Sequence, residues 1–359
     1  MSLALLSACN GTPADDSAAE SETGETGGEQ LEGLDPENFL EGGLDGAITE
    51  VQCTLSNGET TTCYSIPIAG APANHDVGPF CPRTIDDGPE AVGIWLDSGE
   101  VFDVDGAFIV GLAEYYMDDV WQLYDPDTGE VYVTDSQDSC EAAAKPDVEE
   151  EYNNHCVECS LDYYGGGVSD TVLIPQVPVA RETPGEIDGV NSVGVALNGV
   201  TLDPPAPVDA ILAAHTIAAF DDCGGHVNPV AGYHYHAATG CHAEVPAEDH
   251  APLIGYVSDG YGIYAMSDEY GVEPDDLDEC RGHSDESRGY HYHAASPGEN
   301  MFIGCFHGEV VDDGEGGGGG GGGGMDILDC ADVPEGAPCC GDGLCDGAET
   351  AANCAEDCA

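Results

Sequence analysis

Positive charge is what this chain most lacks. Its 359 residues include 5 Lys and Arg against 71 Asp and Glu, a formal net charge of −66. A polyanion of that density repels phosphate backbones and anionic lipid, which excludes nucleic acid as a partner. It also strains the compact state by self-repulsion, which bound cations or high ionic strength relieve. The charge is therefore read as a saline or divalent-rich setting, or simply as a solvated acidic face. Nor is any stretch apolar over the roughly 20 residues that a membrane-spanning helix needs. That leaves lipid as the expected means of membrane attachment. Nucleotide fingerprints, phosphate loops and nucleophile elbows are also missing; the glycine run from Gly316 to Gly324 is low complexity.

Cysteine, by contrast, is abundant. Seventeen cysteines predict disulfides formed outside a reducing cytosol. Met1 to Cys9 reads MSLALLSAC and resembles a lipobox, with Cys9 as the lipidated residue. Its apolar part is short and lacks a positive flank, which points to a start upstream of Met1. The expected location is extracytoplasmic: an outer-membrane or cell-surface lipoprotein, or a secreted protein. Without Cys9, sixteen of the 17 cysteines remain, an even number that can pair fully.

Composition divides the chain. Residues 1–9 form the truncated signal, 10–50 an acidic tether poor in aromatics, and 51–173 an N-terminal disulfide-bonded part. Residues 174–311 form a duplicated histidine domain, 312–329 a Gly-rich linker and 330–359 a module with six cysteines. In that last module Asp342, Asp346 and Glu349 are hard oxygen ligands suited to calcium, against the alternative of a purely stapled knob. The ordered part is turn-rich with a hydrophobic fraction of 41%, which predicts an α+β, β-rich, disulfide-stabilised fold. Helices are expected over 206–220 and 108–124, and a hairpin around Asp127-Thr128-Gly129. Proximity suggests the pairs Cys53–Cys63, Cys81–Cys140, Cys156–Cys159, Cys223–Cys241 and Cys280–Cys305.

The chemistry lies in two matching segments. Residues 221–241 read DDCGGHVNPVAGYHYHAATGC and residues 278–298 read DECRGHSDESRGYHYHAASPG. Cys280, His283, His291 and His293 each lie 57 residues after Cys223, His226, His234 and His236. This is read as an internal duplication, with the two histidine sets expected to lie close together about a pseudo-twofold axis. Period-two alternation places His234 and His236 on one strand face and Tyr233 and Tyr235 on the other. His226 offers a third imidazole; His283, His291 and His293 repeat the pattern. Three imidazoles suit zinc or copper and leave coordination positions open. Histidines used only in packing are the alternative, but the two copies keep these residues while those between have diverged.

Val193 to Gly199, Gly225-His226, Tyr233 to His236, Leu253 to Tyr256 with Asp259-Gly260, Cys280 to His283, Tyr290 to His293 and Gly304 to Gly308 together resemble the YHYH-domain family. Gly78 to Pro82 and Asn154 to Cys159 look like the N-terminal portion of its bacterial members. The resemblance implies an exported protein and leaves its chemistry open. Asp259 is a weak catalytic candidate, as a general base or an orienter of a metal ligand. Three functions follow in order of preference: a metal-binding protein holding copper or zinc, a hydrolytic or oxidative metalloenzyme, and a structural or adhesive surface protein.

Overall fold

Short strands and tight turns are what a chain with 51 glycines and 22 prolines can build, because both residues weaken long regular runs and favour turns. The computed structural model describes residues 33–145 and 147–312. Cys9, residues 1–9 and 10–32, the linker beyond 312, and the cysteine module with Asp342, Asp346 and Glu349, for which expectations were stated above, lie outside the described residues.

In chain order the strands are β1 (Thr49–Thr54), β2 (Thr60–Ile68), β3 (Ile94–Asp97), β4 (Glu100–Asp103), β5 (Cys156–Val157) and β6 (Asp170–Pro175). There follow β7 (Ala180–Gly185), β8 (Gly194–Ala196), β9 (Thr201–Leu202), β10 (Ile217–Ala218), β11 (Gly225–Asn228) and β12 (Gly232–Tyr235). The last are β13 (Leu253–Val257), β14 (Gly262–Tyr264), β15 (Gly282–Asp285), β16 (Gly289–His293) and β17 (Phe306–Gly308). The helices are α1 (Gly106–Tyr115), α2 (Gln137–Ala143) and α3 (Val208–Ala213). The expected β-rich architecture is therefore present.

Both expected helices are shorter than the sequence pattern suggested. Asp105 caps α1 by accepting from Phe108 N at 2.8 Å. The helix stops at Tyr115 because Met117 takes a left-handed φ of 52°, so the expected run to residue 124 is not made. α3 begins after Pro207 and ends before His215, whose φ is 55°; the chain then enters β10 instead of continuing helically to 220. Around Gly129 the expected turn forms, with Asp125 N donating to Glu130 O at 2.8 Å.

One eight-stranded sheet organises the molecule, in the order β11-β12-β9-β8-β13-β14-β16-β15. At its middle β8 and β13 pair antiparallel. Outward on one side β9 runs parallel to β12, and on the other β14 runs parallel to β16. Each edge is an antiparallel hairpin, β11–β12 with His226 opposite His234 and β15–β16 with His283 opposite His291. β12 and β16 are thus five inter-strand steps apart, about 24 Å along the sheet. The expectation that the two histidine sets lie close together is corrected by this order: the pairing about β8 and β13 sends the histidine hairpins to opposite edges.

Two boundaries also move. Residues 33–50 are not a tether, since Leu34 and Phe39 are buried and Leu44 bridges to Ile68. The break placed at 173/174 falls inside β6, which pairs along β2 from Cys63 to Ile68. The main apolar core joins both sides of that break, from Trp95 and Leu112 to Phe220 and Tyr292.

Five disulfides close among the described residues. Cys53–Cys63, Cys223–Cys241 and Cys280–Cys305 are as expected. The other two exchange partners: the bonds are Cys81–Cys156 and Cys140–Cys159, not Cys81–Cys140 and Cys156–Cys159. Cys156 lies in β5, and an extended run from 156 to 159 spans about 10 Å, beyond the Cα separation that a disulfide tolerates. Cys81–Cys156 closes a separation of 75 residues. Replacing both Cys81 and Cys156 by Ala is expected to lower stability to urea by about 2–5 kcal/mol. Peptide mapping without reductant should recover Cys140–Cys159 intact in that variant; recovery of Cys156–Cys159 from the parent protein would contradict the connectivity.

Candidate metal centre

The glycines and tyrosines of the repeated segments build a platform, and the histidines stand on its other face. A Cβ on Gly225 would lie 2.5 Å from the Tyr233 ring, and one on Gly282 would lie 2.1 Å from Tyr290 Oη. Only glycine admits the tyrosine there. Tyr233 Oη donates to Asp221 at 2.9 Å, and Tyr290 Oη donates to Asp278 at 2.9 Å. Each aspartate also caps the turn before its histidine: Asp221 Oδ1 accepts from Cys223 N and Gly225 N, and Asp278 Oδ1 from Cys280 N and Gly282 N. The turns of both hairpins need a left-handed residue, supplied by Gly232 (φ 68°) and Gly289 (φ 67°).

On the histidine face the rings converge as two separate groups. His226, His234 and His236 form the first; His283, His291 and His293, joined by His250, form the second. Within each group the candidate ligand atoms all lie within 4.8 Å of one another. His226 Nε2 is 3.0 Å from His234 Nε2. His291 Nε2 is 2.9 Å from His283 Nε2 and 3.0 Å from His250 Nε2. Two nitrogens on one tetrahedral ion, each at about 2.0–2.1 Å, stand roughly 3.3 Å apart, so little movement separates these rings from a coordination shell.

The protons decide what these rings can do. In the second group every Nδ1 faces an oxygen acceptor: Ala251 O for His250 (2.8 Å), Asp276 Oδ1 for His283 (2.7 Å), Gly289 O for His291 (3.0 Å) and Ala265 O for His293 (3.0 Å). In the first group His234 Nδ1 faces Gly232 O at 3.0 Å and His236 Nδ1 faces Pro204 O at 2.7 Å. An oxygen of this kind can only accept, so the Nδ1 carries the proton and a neutral ring keeps a bare lone pair on Nε2. Several of the rings are held neutral by their surroundings. Burial pushes His291 down to about 4 and His293 to about 3. Burial likewise holds His226 and His236 well below the ordinary imidazole value. The four rings of the second group thus bring their ligand nitrogens together, and the buried His293 Nε2 has no hydrogen-bond partner. A cation at the centre satisfies all of them; this donor set fits zinc or copper.

All six histidines named from the sequence lie in these groups, His226, His234 and His236 in one and His283, His291 and His293 in the other. His250 was missed, because nothing in its local sequence distinguishes it from the acidic loop around it. Asp259 stands elsewhere. It is fully buried beneath the tyrosine face, accepting from Tyr292 Oη and from Gly308 N at 2.8 Å. Burial raises its carboxyl to about 6. Asn198 makes the corresponding contact in the other half, donating to Tyr235 Oη at 2.8 Å.

The remaining histidines have other roles. His75 Nε2 lies 2.6 Å from Tyr235 Oη, His155 Nδ1 faces Asn153 O, and His215 pairs with Asp118. His307 stacks on Tyr290 with ring centroids 3.6 Å apart. Among the described residues no helix is long and apolar enough to cross a membrane.

Residues 171–273 match the family model described as YHYH protein, a span that takes in the first histidine group and His250. No curated protein and no solved structure shows significant similarity to the chain.

His242 gives the centre's surroundings a pH signature of their own. It is buried against Tyr235, its ring centroid 4.2 Å away, and burial lowers its imidazole to about 3. The unfolded chain therefore binds a proton there that the native state refuses. Its contribution to stability is whole above about pH 6.5 and is lost as pH falls toward about 3. In urea titrations of His242→Phe and parent protein, the variant's advantage is expected to grow as pH drops from about 7 to about 4. Parallel curves would show that the ring is not held neutral.

Proposed function

Taking as premise that the chain carries a YHYH-family domain, we propose that this protein holds two copper or zinc ions outside the cytoplasm. One ion is bound by His226, His234 and His236. The other is bound by His283, His291 and His293 together with His250. The observation that carries this reading is the Nδ1 arrangement, which leaves the Nε2 lone pairs of the second group turned toward a common centre. Neutral imidazoles that cannot hydrogen-bond to one another repel unless a cation lies between them.

Further support comes from the correspondence between the two halves. Equal offsets of 57 residues, matching hairpin registers and matching Tyr–Asp contacts are what two copies of one metal-binding unit would have. Five disulfides support an oxidising compartment, where a lipid anchor at Cys9 would hold the protein to the envelope.

Protein produced with its disulfides formed, loaded with Zn2+ or Cu2+ and dialysed, is expected to retain two ions per chain by elemental analysis. Dialysis against about 1 M salt removes ions held only by diffuse surface charge. His234→Ala/His236→Ala and His291→Ala/His293→Ala should each retain one ion, and the four-fold variant none. Free metal at about 100 times its Kd should add about 2.7 kcal/mol of stability per site. Equal metal content in the parent and the four-fold variant would refute the proposal.

A further inference from the structure

The two groups differ in what stands beside them, and one register position sets the difference. Leu202 pairs with Tyr235, and the next residue is Asp203, whose N–H donates to Tyr235 O at 2.9 Å. In the other half Ile263 pairs with Tyr292, and the next residue is Tyr264, in register with His293. The Tyr264 ring packs on His250, His291 and His293, with centroids 4.7, 5.0 and 6.0 Å away. Four imidazoles complete a tetrahedral shell, and that tyrosine helps to cover it.

The first group has three imidazoles and an aspartate where the other has the tyrosine. Its fourth side opens on a cavity of about 890 Å³, lined by His226, His234, His236 and Asp203 and by none of the second group. Asp203 is 7% exposed, and its Oδ1 has no hydrogen-bond partner. Its Oδ2 lies 3.9 Å from His234 Nε2, beside the position an ion would take. Most of the remaining wall is apolar, including Val148, Val157, Val190 and Ile211. A few convergent polar groups on an apolar wall are the features of a small-molecule site, and a buried carboxyl oxygen without a partner is costly unless a ligand's hydrogen meets it.

Resting on the metal reading above, we propose that the first group is an open metal site that binds a small neutral molecule with an apolar body and a protic head group, such as a hydroxamic acid, amide or alcohol. The head group's oxygen coordinates the ion, its O–H or N–H donates to Asp203 Oδ1, and its body lies against the apolar wall. The chain's net charge of −66 repels anions, whereas the bound ion and Lys145 on the cavity wall, itself paired with Glu149, attract them. In the second group four imidazoles fill a tetrahedral shell, which leaves no coordination position for an outside ligand.

Co2+ supplies a visible spectrum that reports coordination at each site. His291→Ala/His293→Ala leaves only the first site, and His234→Ala/His236→Ala leaves only the second. Benzohydroxamic acid is expected to change the spectrum of the first protein and leave that of the second unchanged. Relative to free Co2+, it should bind about ten-fold or more tightly than acetohydroxamic acid, from burial of its ring. Asp203→Asn should weaken binding about ten-fold with cobalt content unaltered. Cobalt bound at both sites with equal spectral responses, with no response, or with no preference for the ring overturns this proposal alone. Failure of either protein to bind cobalt overturns the metal reading and this proposal with it.

Discussion

Six hydrogen bonds from imidazole Nδ1 atoms to fixed oxygens govern the histidine face. Without them each ring could flip or change tautomer, and its neighbours could satisfy it by ordinary donation. With them the Nε2 atoms of these six rings are each committed to one direction as acceptors; the seventh ring, His226, has no such bond. The two hairpins, the glycine that admits each tyrosine and the aspartate that caps each turn all serve to hold that orientation. Strand alternation then separates the work: tyrosines go to the buried network on one face and imidazoles to the other. The molecule thereby places a group of lone pairs in a poorly solvated position, which ordinary packing would avoid.

Extreme negative charge and dense disulfide bonding act on the same problem from two directions. Self-repulsion weakens a chain at −66, and cross-links that shrink the unfolded ensemble oppose that weakness. Two of the disulfides begin two residues before a histidine strand, at Cys223 and Cys280. Those bonds anchor the turn whose aspartate receives the tyrosine hydroxyl. Support for the fold and support for the candidate centre are therefore the same covalent links.

The sequence revealed the features that repeat. The offset of 57 residues and the alternation of YHYH were sufficient to place six imidazoles as two triplets. The β-rich class followed from glycine and turn content, and three short disulfides from proximity. What stayed hidden depends on long-range topology. His250 joins its group because it lies just before β13, which pairs with β14, the neighbour of β16, and no local pattern announces that. The exchange of partners among Cys81, Cys140, Cys156 and Cys159 depends on where β5 lies. Asp203 and Tyr264 each follow by four residues the glycine of a related element, Gly199 and Gly260, but only the strand pairings put them beside the imidazoles. Asp221 and Asp278, by contrast, share the 57-residue offset, so their common role was open to inspection from the start.

Placing the two hairpins at opposite edges of one sheet has a chemical consequence. Dinuclear catalysts hold their ions about 3.5–4 Å apart so that one substrate atom can bridge both. Five strand spacings along the sheet forbid such bridging. Ions at the two edges would also lie well beyond the roughly 8–10 Å over which charges feel one another in physiological salt. Each centre would fill with an affinity indifferent to its twin, and any electron or proton it handled would belong to a mononuclear chemistry.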